Sequence, residues 1–433
     1  MSSRIKIVVV SLSLVMVLFL LVGALMAKNK QDGKGAYPHI SVFTEVLSRI
    51  KSEYVEEPEL SSVTNGALTG MLEAVDPYAS YLNADQYFEY EKFKENKANV
   101  AGVHLSRRFG MIGIVGVVPG SAADLAALGT GDVIESINDI STRDMPVAYA
   151  EILLKGARGN DVKMAIIRLG KSSSEEVKLT LAAESKPSVL AKLIDGKYGY
   201  IRPEVMTPGR SAQIARAVQS LTREGAKQFI LDLRNTSVGE SEEGLKVADL
   251  FVDSGEMAWV VGQKVAKKSF TAAPDNTVTK APLVVLTNRG TANGAEVAAA
   301  VLLNSKRAEV VGDRTYGDAG ARNAVTMDDG SALILTLGKF YTSGATEAIQ
   351  DRGVTPTVPM SDYVRDEEDE EAEDGEAAQQ TFDIQQFRRN RPAPEADKLV
   401  RKAIDVLTNG VPKEKEVAKR GHGPAEMEWR EAA

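Results

Sequence analysis

The sequence predicts an α/β core with a small β-rich domain ahead of it, a helical N-terminal region and an N-terminal transmembrane helix. Three observations carry this expectation. From Lys186 to Tyr363 short apolar runs alternate with helix-period segments, the pattern of a partly parallel sheet with helices on its faces. Between Val100 and Glu184 short β-type runs are punctuated by Gly and Pro, the texture of a compact β-rich unit. At the start, residues 7–27 form an apolar, uncharged run interrupted by Ser11 and Ser13; at about 21 residues it is long enough to span a bilayer.

Bulk numbers narrow the function classes. At 433 residues the chain is long enough for two to three domains, and 43% hydrophobic with 26% charged residues is an ordinary globular composition. The net charge of −8 and the lack of a broad basic stripe exclude nucleic acid as an expected partner. There is no cysteine, which excludes disulfides, thiolate zinc sites and a cysteine nucleophile. The three histidines, His39, His104 and His422, are scattered. They give neither a metal cluster nor a triad, so loop or solvated places are expected for them, with no metal and no cofactor.

The elements follow in order. Residues 1–30 read as a transmembrane anchor or signal. Arg4 and Lys6 precede the apolar run, and Leu25 before Ala27 makes a poor cleavage site, which favours an anchor over a cleaved signal. Lys28, Lys30 and Lys34 lie on the other flank, so the charge rule sets no orientation. Residues 37–98 form a helical region: Val42, Val46 and Ile50, then Val63, Ala67 and Met71 recur at helical spacing on either side of Pro58. A turn over Asp76–Asn83 leads to a third, aromatic helix.

Residues 100–184 make the β-rich domain. Ser121 is a plausible N-cap for "AADLAAL", and Pro146 starts a second helix that Gly156 stops. Residues 186–363 make the α/β core, with strands at "YGYIRPEV", "QFILDLRN", "PLVVLTNRG" and "AEVVGDRTYG", and "ALILTLGKFYT" closing the sheet. Residues 364–380 are an acidic linker without periodicity, expected to be solvated. Residues 381–410 carry a last amphipathic helix, and 411–433 a charged tail.

Two resemblances sharpen this. "VVPGSAADLAALGTGDVIESINDI" resembles a PDZ domain, with its Pro-Gly turn, short helix and Gly-Asp before an apolar strand. Residues 40–363 resemble the C-terminal processing peptidases, or tail-specific proteases, carboxy-terminal serine peptidases with a PDZ domain. The matching stretches include "VLSRIKSEYVEEPEL", "GALTGMLEAVDPYASYL", "FILDLRN", "PLVVLTN", "DGSALILT" and "DRGVTPTV", in that order. The resemblance implies a crotonase/ClpP-like α/β core and action outside the cytoplasm, in a bacterial periplasm or cell envelope. It implies a PDZ groove for protein or peptide C-termini, lined by Gly102, Val103, His104 and Leu105 and by the helix bearing Ala148 and Ile152. It also implies assembly through terminal helices, residues 40–56 and 395–409.

The family uses a Ser-Lys dyad with an orienting glutamine. Carried over onto "TANGAE" and "TYGD", the nucleophile position falls on Asn293, the base on Asp318 and the orienting residue on Arg322. An asparagine amide is no acyl-transfer nucleophile, and Arg322 never deprotonates. Asp318 could accept a proton, but no hydroxyl stands at the matching position. The oxyanion turn reads "TSVG", with Val238 where the family has Gly. The expectation is a pseudo-peptidase, not an enzyme: a membrane-held binding, assembly or regulatory partner of an active peptidase or envelope complex, as homo- or hetero-oligomer. Asp318 and Arg322 would pair, with Asn293 bonded to them. The alternative is an active serine-type endopeptidase-like hydrolase acting on protein C-terminal tails through an unconventional site. Thr291 is a weaker candidate for a displaced nucleophile, and Glu296 a candidate buttress.

Overall fold

The computed structural model describes residues 37–95, 99–108, 110–169, 171, 173–361 and 392–411. The chain divides into two units, Met1–Ala67 and Leu68–Ala433. The described part of the first holds α1 (Tyr37–Glu53) and the start of α2 (Leu60–Glu73). At 17 and 14 residues these helices fall short of the roughly 20 that cross a bilayer. Among the described residues no helix is long and apolar enough to cross a membrane. The expected fold class is corrected accordingly: its transmembrane helix is not supported, and the run 7–27 lies outside the described residues.

The second unit opens with β1 (Ser80–Leu82) and α3 (Ala84–Glu95). The β-rich domain follows: β2 (Asn99–Val100), β3 (Val103–Arg108), β4 (Met111–Val117), α4 (Ala122–Leu125), β5 (Val133–Ile137), β6 (Ile140–Ser141), α5 (Val147–Leu153), β7 (Lys155–Gly156), β8 (Asp161–Ile167) and β9 (Ser174–Thr180). Its sheet runs β3-β4-β5-β8-β9, antiparallel throughout. In β8 every second residue is buried, as one covered face requires. Ile112, Ile134, Ile137, Met164 and Ile166 fill the core beneath. The Ser121 hydroxyl accepts from Asp124 N and caps α4.

The core domain then runs β10 (Leu190–Ile194), β11 (Tyr198–Arg202), α6 (Arg210–Glu224), β12 (Gln228–Asp232), α7 (Ser241–Asp249), β13 (Glu256–Val261), β14 (Lys268–Thr271), β15 (Leu283–Thr287), α8 (Asn293–Asn304), β16 (Glu309–Gly312), β17 (Gly320–Thr326), β18 (Ala332–Thr342), β19 (Val358–Pro359) and α9 (Lys398–Asn409). One sheet has the order β10-β11-β12-β15-β16-β19, parallel from β11 onward. β12 and β15 are buried almost throughout, as parallel strands covered on both faces are. α8 is buried from Gly294 to Leu302, so it is a core helix rather than a surface one. It meets α7 at paired glycines: a Cβ on Gly244 would collide with the Gly294 carbonyl.

β18 does not close that sheet. It pairs antiparallel with β1, β13 and β17 in a separate five-stranded sheet. β19 takes the expected place, beside β16.

α9 lays Leu399, Val400, Ala403 and Val406 on Tyr198, Tyr200, Ile230, Val284 and Leu286. Its start is fixed electrostatically. Asp397 accepts from Leu399 N at 2.9 Å and from Val400 N at 3.2 Å. Arg234 Nη2 donates to Asp397 Oδ2 at 2.8 Å and to Asp232 Oδ2 at 2.7 Å. Asp397→Ala removes the cap and takes from buried Arg234 one of its two carboxylates among the described residues. A loss of about 3–5 kcal/mol is expected, as for breaking a buried ion pair. Urea titration of the whole chain reads it; a loss within about 0.5 kcal/mol, the range of ordinary surface changes, would show that α9 is held by apolar packing alone.

Candidate active site

β15 ends at Thr287, the chain turns through Asn288–Ala292, and α8 begins at Asn293. Asn293 has φ +51, a left-handed conformation that asparagine tolerates better than most residues. Its backbone N–H donates to the carbonyl of Asp318 at 2.7 Å. That places the loop after β16 directly over the head of the helix.

Glu296, one turn into α8, holds the loop there. Its carboxylate accepts from the Thr315 hydroxyl, from Gly317 N at 2.6 Å and from Asp318 N at 2.7 Å. The group is fully buried. Burial pushes its pKa up, the three donors pull it down and the Asp318 charge raises it again, leaving it at about 8.

Asp318 is buried as well. Arg322 Nη2, on β17, donates to its Oδ1. The Arg322 guanidinium also lies 4.3 Å from the Tyr78 ring centre, within cation–π range. On the other side His104 Nε2 stands 3.0 Å from Asp318 Oδ2. The approach is close enough for an ion pair but not aligned as a hydrogen bond, and Oδ2 has no other partner. Burial would raise the Asp318 pKa. The Arg322 charge, followed by His104, outweighs burial and holds the group below the ordinary carboxylate range.

Asn293, Asp318 and Arg322 therefore converge, but the asparagine side chain does not reach the carboxylate. Its Nδ2 donates to the Ser237 carbonyl at 3.0 Å and lies 3.4 Å from His104 Nε2. His104 joins them from the β-rich domain. It is buried rather than solvated. The register of β3 on β4 shifts between His104 and Leu105, and such an irregularity re-aims a side chain. No sequence signal marks this contact, because the partners belong to different domains.

The residues expected to line a peptide groove divide. Gly102, Val103 and Leu105 border a cavity of about 210 Å³, together with Glu151, Leu154, Lys155 and Val238. Ala148 and Ile152 face away from it and pack with Leu82 and Ile334. Ala148 N donates to Ser80 Oγ at 3.3 Å, so this face of α5 docks on β1. Thr291 is occupied: its hydroxyl donates to Leu233 O at 2.9 Å and accepts from Asn288 N at 3.1 Å. Among the described residues no group of acids and histidines could hold a metal.

Geometry and topology together define a PDZ-bearing peptidase fold, and comparison with known proteins agrees. Residues 197–360 match Peptidase family S41 and residues 99–167 match the PDZ domain. The chain carries both domains, and its homologues are named carboxy-terminal processing proteases. It is 29% identical over 326 residues to the carboxy-terminal processing protease CtpA of Bacillus subtilis, covering 74% of this chain and 69% of that one. It is 30% identical over 318 residues to carboxyl-terminal-processing peptidase 2 of Arabidopsis thaliana, a match spanning 68% of this chain and 59% of that protein. A solved photosystem II D1 C-terminal processing protease shares the fold, with a TM-score of 0.61 and 23% identity over 74% of this chain and 92% of that one.

These findings correct the expectation of a pseudo-peptidase that is not an enzyme. The relatives are named proteases and peptidases, and nothing observed shows this chain to be inactive. Asn293 and Asp318 argue against one mechanism, a Ser-Lys dyad at those two positions. They do not argue against hydrolysis by other groups in the same pocket.

Glu296 gives the site a pH signature. In the folded chain it keeps its proton up to about pH 8, against 4.5 for the free group. Its contribution to stability is full below about 4.5 and is lost as pH rises through about 8. The melting temperature should fall across that window, and less steeply in Glu296→Gln. Equal slopes in the two proteins would show that another group titrates there.

Proposed function

We propose that this chain is a hydrolase that cleaves polypeptides near their C-termini, with His104 as general base and Asp318 as the residue that orients it. One observation carries this reading: a buried imidazole 3.0 Å from a buried carboxylate, at the head of α8, where the fold presents its reacting groups. Arg322 keeps Asp318 ionised. The ionised carboxylate at 3.0 Å outweighs the Asn293 amide nitrogen at 3.4 Å and favours the tautomer with the proton on Nε2. Nδ1 is then the basic atom, and it is buried with no hydrogen-bond partner. A free, desolvated lone pair at a fixed position is what general-base catalysis needs.

The substrate class follows from the neighbouring cavity. Gly102, Val103 and Leu105 border it and stand on either side of His104 in the chain. A polypeptide tail held there by main-chain hydrogen bonds runs along the same strand that delivers the base. The names of the relatives support this choice of substrate.

The test uses the purified chain and an unfolded polypeptide with an apolar C-terminus, with products read by mass spectrometry. Cleavage near the C-terminus is expected, and His104→Gln should lower the rate by about a hundredfold or more, the usual worth of a general base. Asp318→Asn should lower it too and flatten the rate's dependence on pH. No cleavage by the unaltered chain, or undiminished cleavage by His104→Gln, would sink the proposal.

A further inference from the structure

The cluster around Asp318 holds other buried polar atoms without a hydrogen-bond partner, Ser237 Oγ and Arg322 Nε beside His104 Nδ1 and Asp318 Oδ2. Ser237 is buried, and its Oγ makes no hydrogen bond, like His104 Nδ1. A buried hydroxyl left unpaired is costly, so one that shares a cluster with an unpaired imidazole nitrogen calls for a reason. Three contacts bring them to the same place. Asn293 Nδ2 touches both residues, 3.0 Å from Ser237 O and 3.4 Å from His104 Nε2. His104 stands directly opposite Gly116 in the β3–β4 pairing; residues so paired present their side chains on one face of the sheet. A Cβ on Gly116 would collide with Ser237 Oγ. The serine hydroxyl therefore lies against the strand position opposite His104, in space that only a glycine leaves open, with no hydrogen bond to the imidazole in the resting chain.

Resting on the proposed hydrolase function, we infer that Ser237 is the nucleophile of a displaced triad, Ser237–His104–Asp318. Ser237 Oγ attacks the scissile carbonyl carbon, the carbonyl π pair moves to its oxygen, and the Oγ proton passes to His104 Nδ1. When the tetrahedral species collapses, the C–N bond breaks and Nδ1 gives its proton to the departing amine. Water then attacks the Ser237 ester. Its proton goes to Nδ1, the ester C–O bond breaks, and Oγ recovers the proton. The balance is one peptide bond and one water consumed, one carboxyl and one amine formed. Other candidate hydroxyls fare worse. Thr291 is hydrogen-bonded on both sides. Thr236 has an unpaired hydroxyl but no contact with His104 or Asn293.

A fluorophosphonate probe followed by peptide mapping, beside steady-state cleavage assays, decides the matter. The probe should label Ser237, and the label should disappear in His104→Gln. Ser237→Ala should lose about a thousandfold or more in kcat, as removal of a triad nucleophile does, while Ser254→Ala, at an exposed serine remote from the site, keeps the original rate. Because the chain has no cysteine, Ser237→Cys provides a readout independent of turnover. Its single thiol should show thiolate absorbance and rapid alkylation near neutral pH, both lost when His104→Gln is added. Full activity in Ser237→Ala with loss in His104→Gln would overturn the triad and leave water as the nucleophile of the His104–Asp318 pair. A label on another residue, or an ordinary unactivated thiol at position 237, would overturn it as well. Undiminished turnover in His104→Gln would instead bring down the reading beneath it.

Discussion

The pocket depends on one buried carboxylate. Glu296 sits in the first turn of α8 and binds a hydroxyl and two backbone N–H groups of the loop Thr315–Asp318. Loops that carry functional groups are normally mobile. This one is held by three hydrogen bonds to a helix that is itself buried from Gly294 to Leu302. The position of Asp318 is thereby inherited from the rigid centre of the sheet. Bonds from Tyr316 N to Thr291 O at 2.9 Å and from Ala319 N to Gln350 Oε1 at 2.8 Å add to this hold and fix the Asp318–Arg322 pair from both sides.

Charge explains why the residues around Asp318 differ from a Ser-Lys arrangement without leaving the pocket empty. A lysine base must be kept partly neutral by burial. An aspartate here is pushed the other way, because Arg322 lies against it and compensates its charge. Asp318 is thus a poor general base and a good fixed anion. A fixed anion beside an imidazole orients the ring and stabilises the imidazolium that forms when the ring takes a proton. The same substitution that removes one mechanism supplies the orienting half of another.

The legible part of the fold was the part with local signals. β12 and β15 read from the sequence because buried parallel strands are continuous apolar runs. α6 read because its apolar face recurs at helical spacing. β13, β14 and β17 were missed, and β18 was put in the wrong sheet. These strands form a sheet with one wet face, so β14 and β17 show little apolar pattern, and pairing partners far apart in the chain leave no local trace. Among the site residues, Asn293, Asp318 and Arg322 came from position-by-position resemblance. His104 came from resemblance only as a lining residue of the peptide groove, and Ser237 only as part of the "TSVG" turn. Each looks ordinary in its own segment, and their meaning comes from a contact between the β-rich domain and the core.

That contact ties the β-rich domain to the core through one buried side chain. β3 borders the peptide cavity at Gly102, Val103 and Leu105 and sends His104 into the core. Its neighbour β4 offers Gly116, whose missing side chain admits Ser237. A shift of these strands large enough to reshape the cavity also moves the imidazole relative to Asp318, because strand and side chain are one covalent unit. The 3.0 Å separation tolerates little displacement, since charge interactions at that range weaken within an ångström or two where water can enter. One strand, β3, therefore borders the cavity with Gly102, Val103 and Leu105 and places His104 beside Asp318.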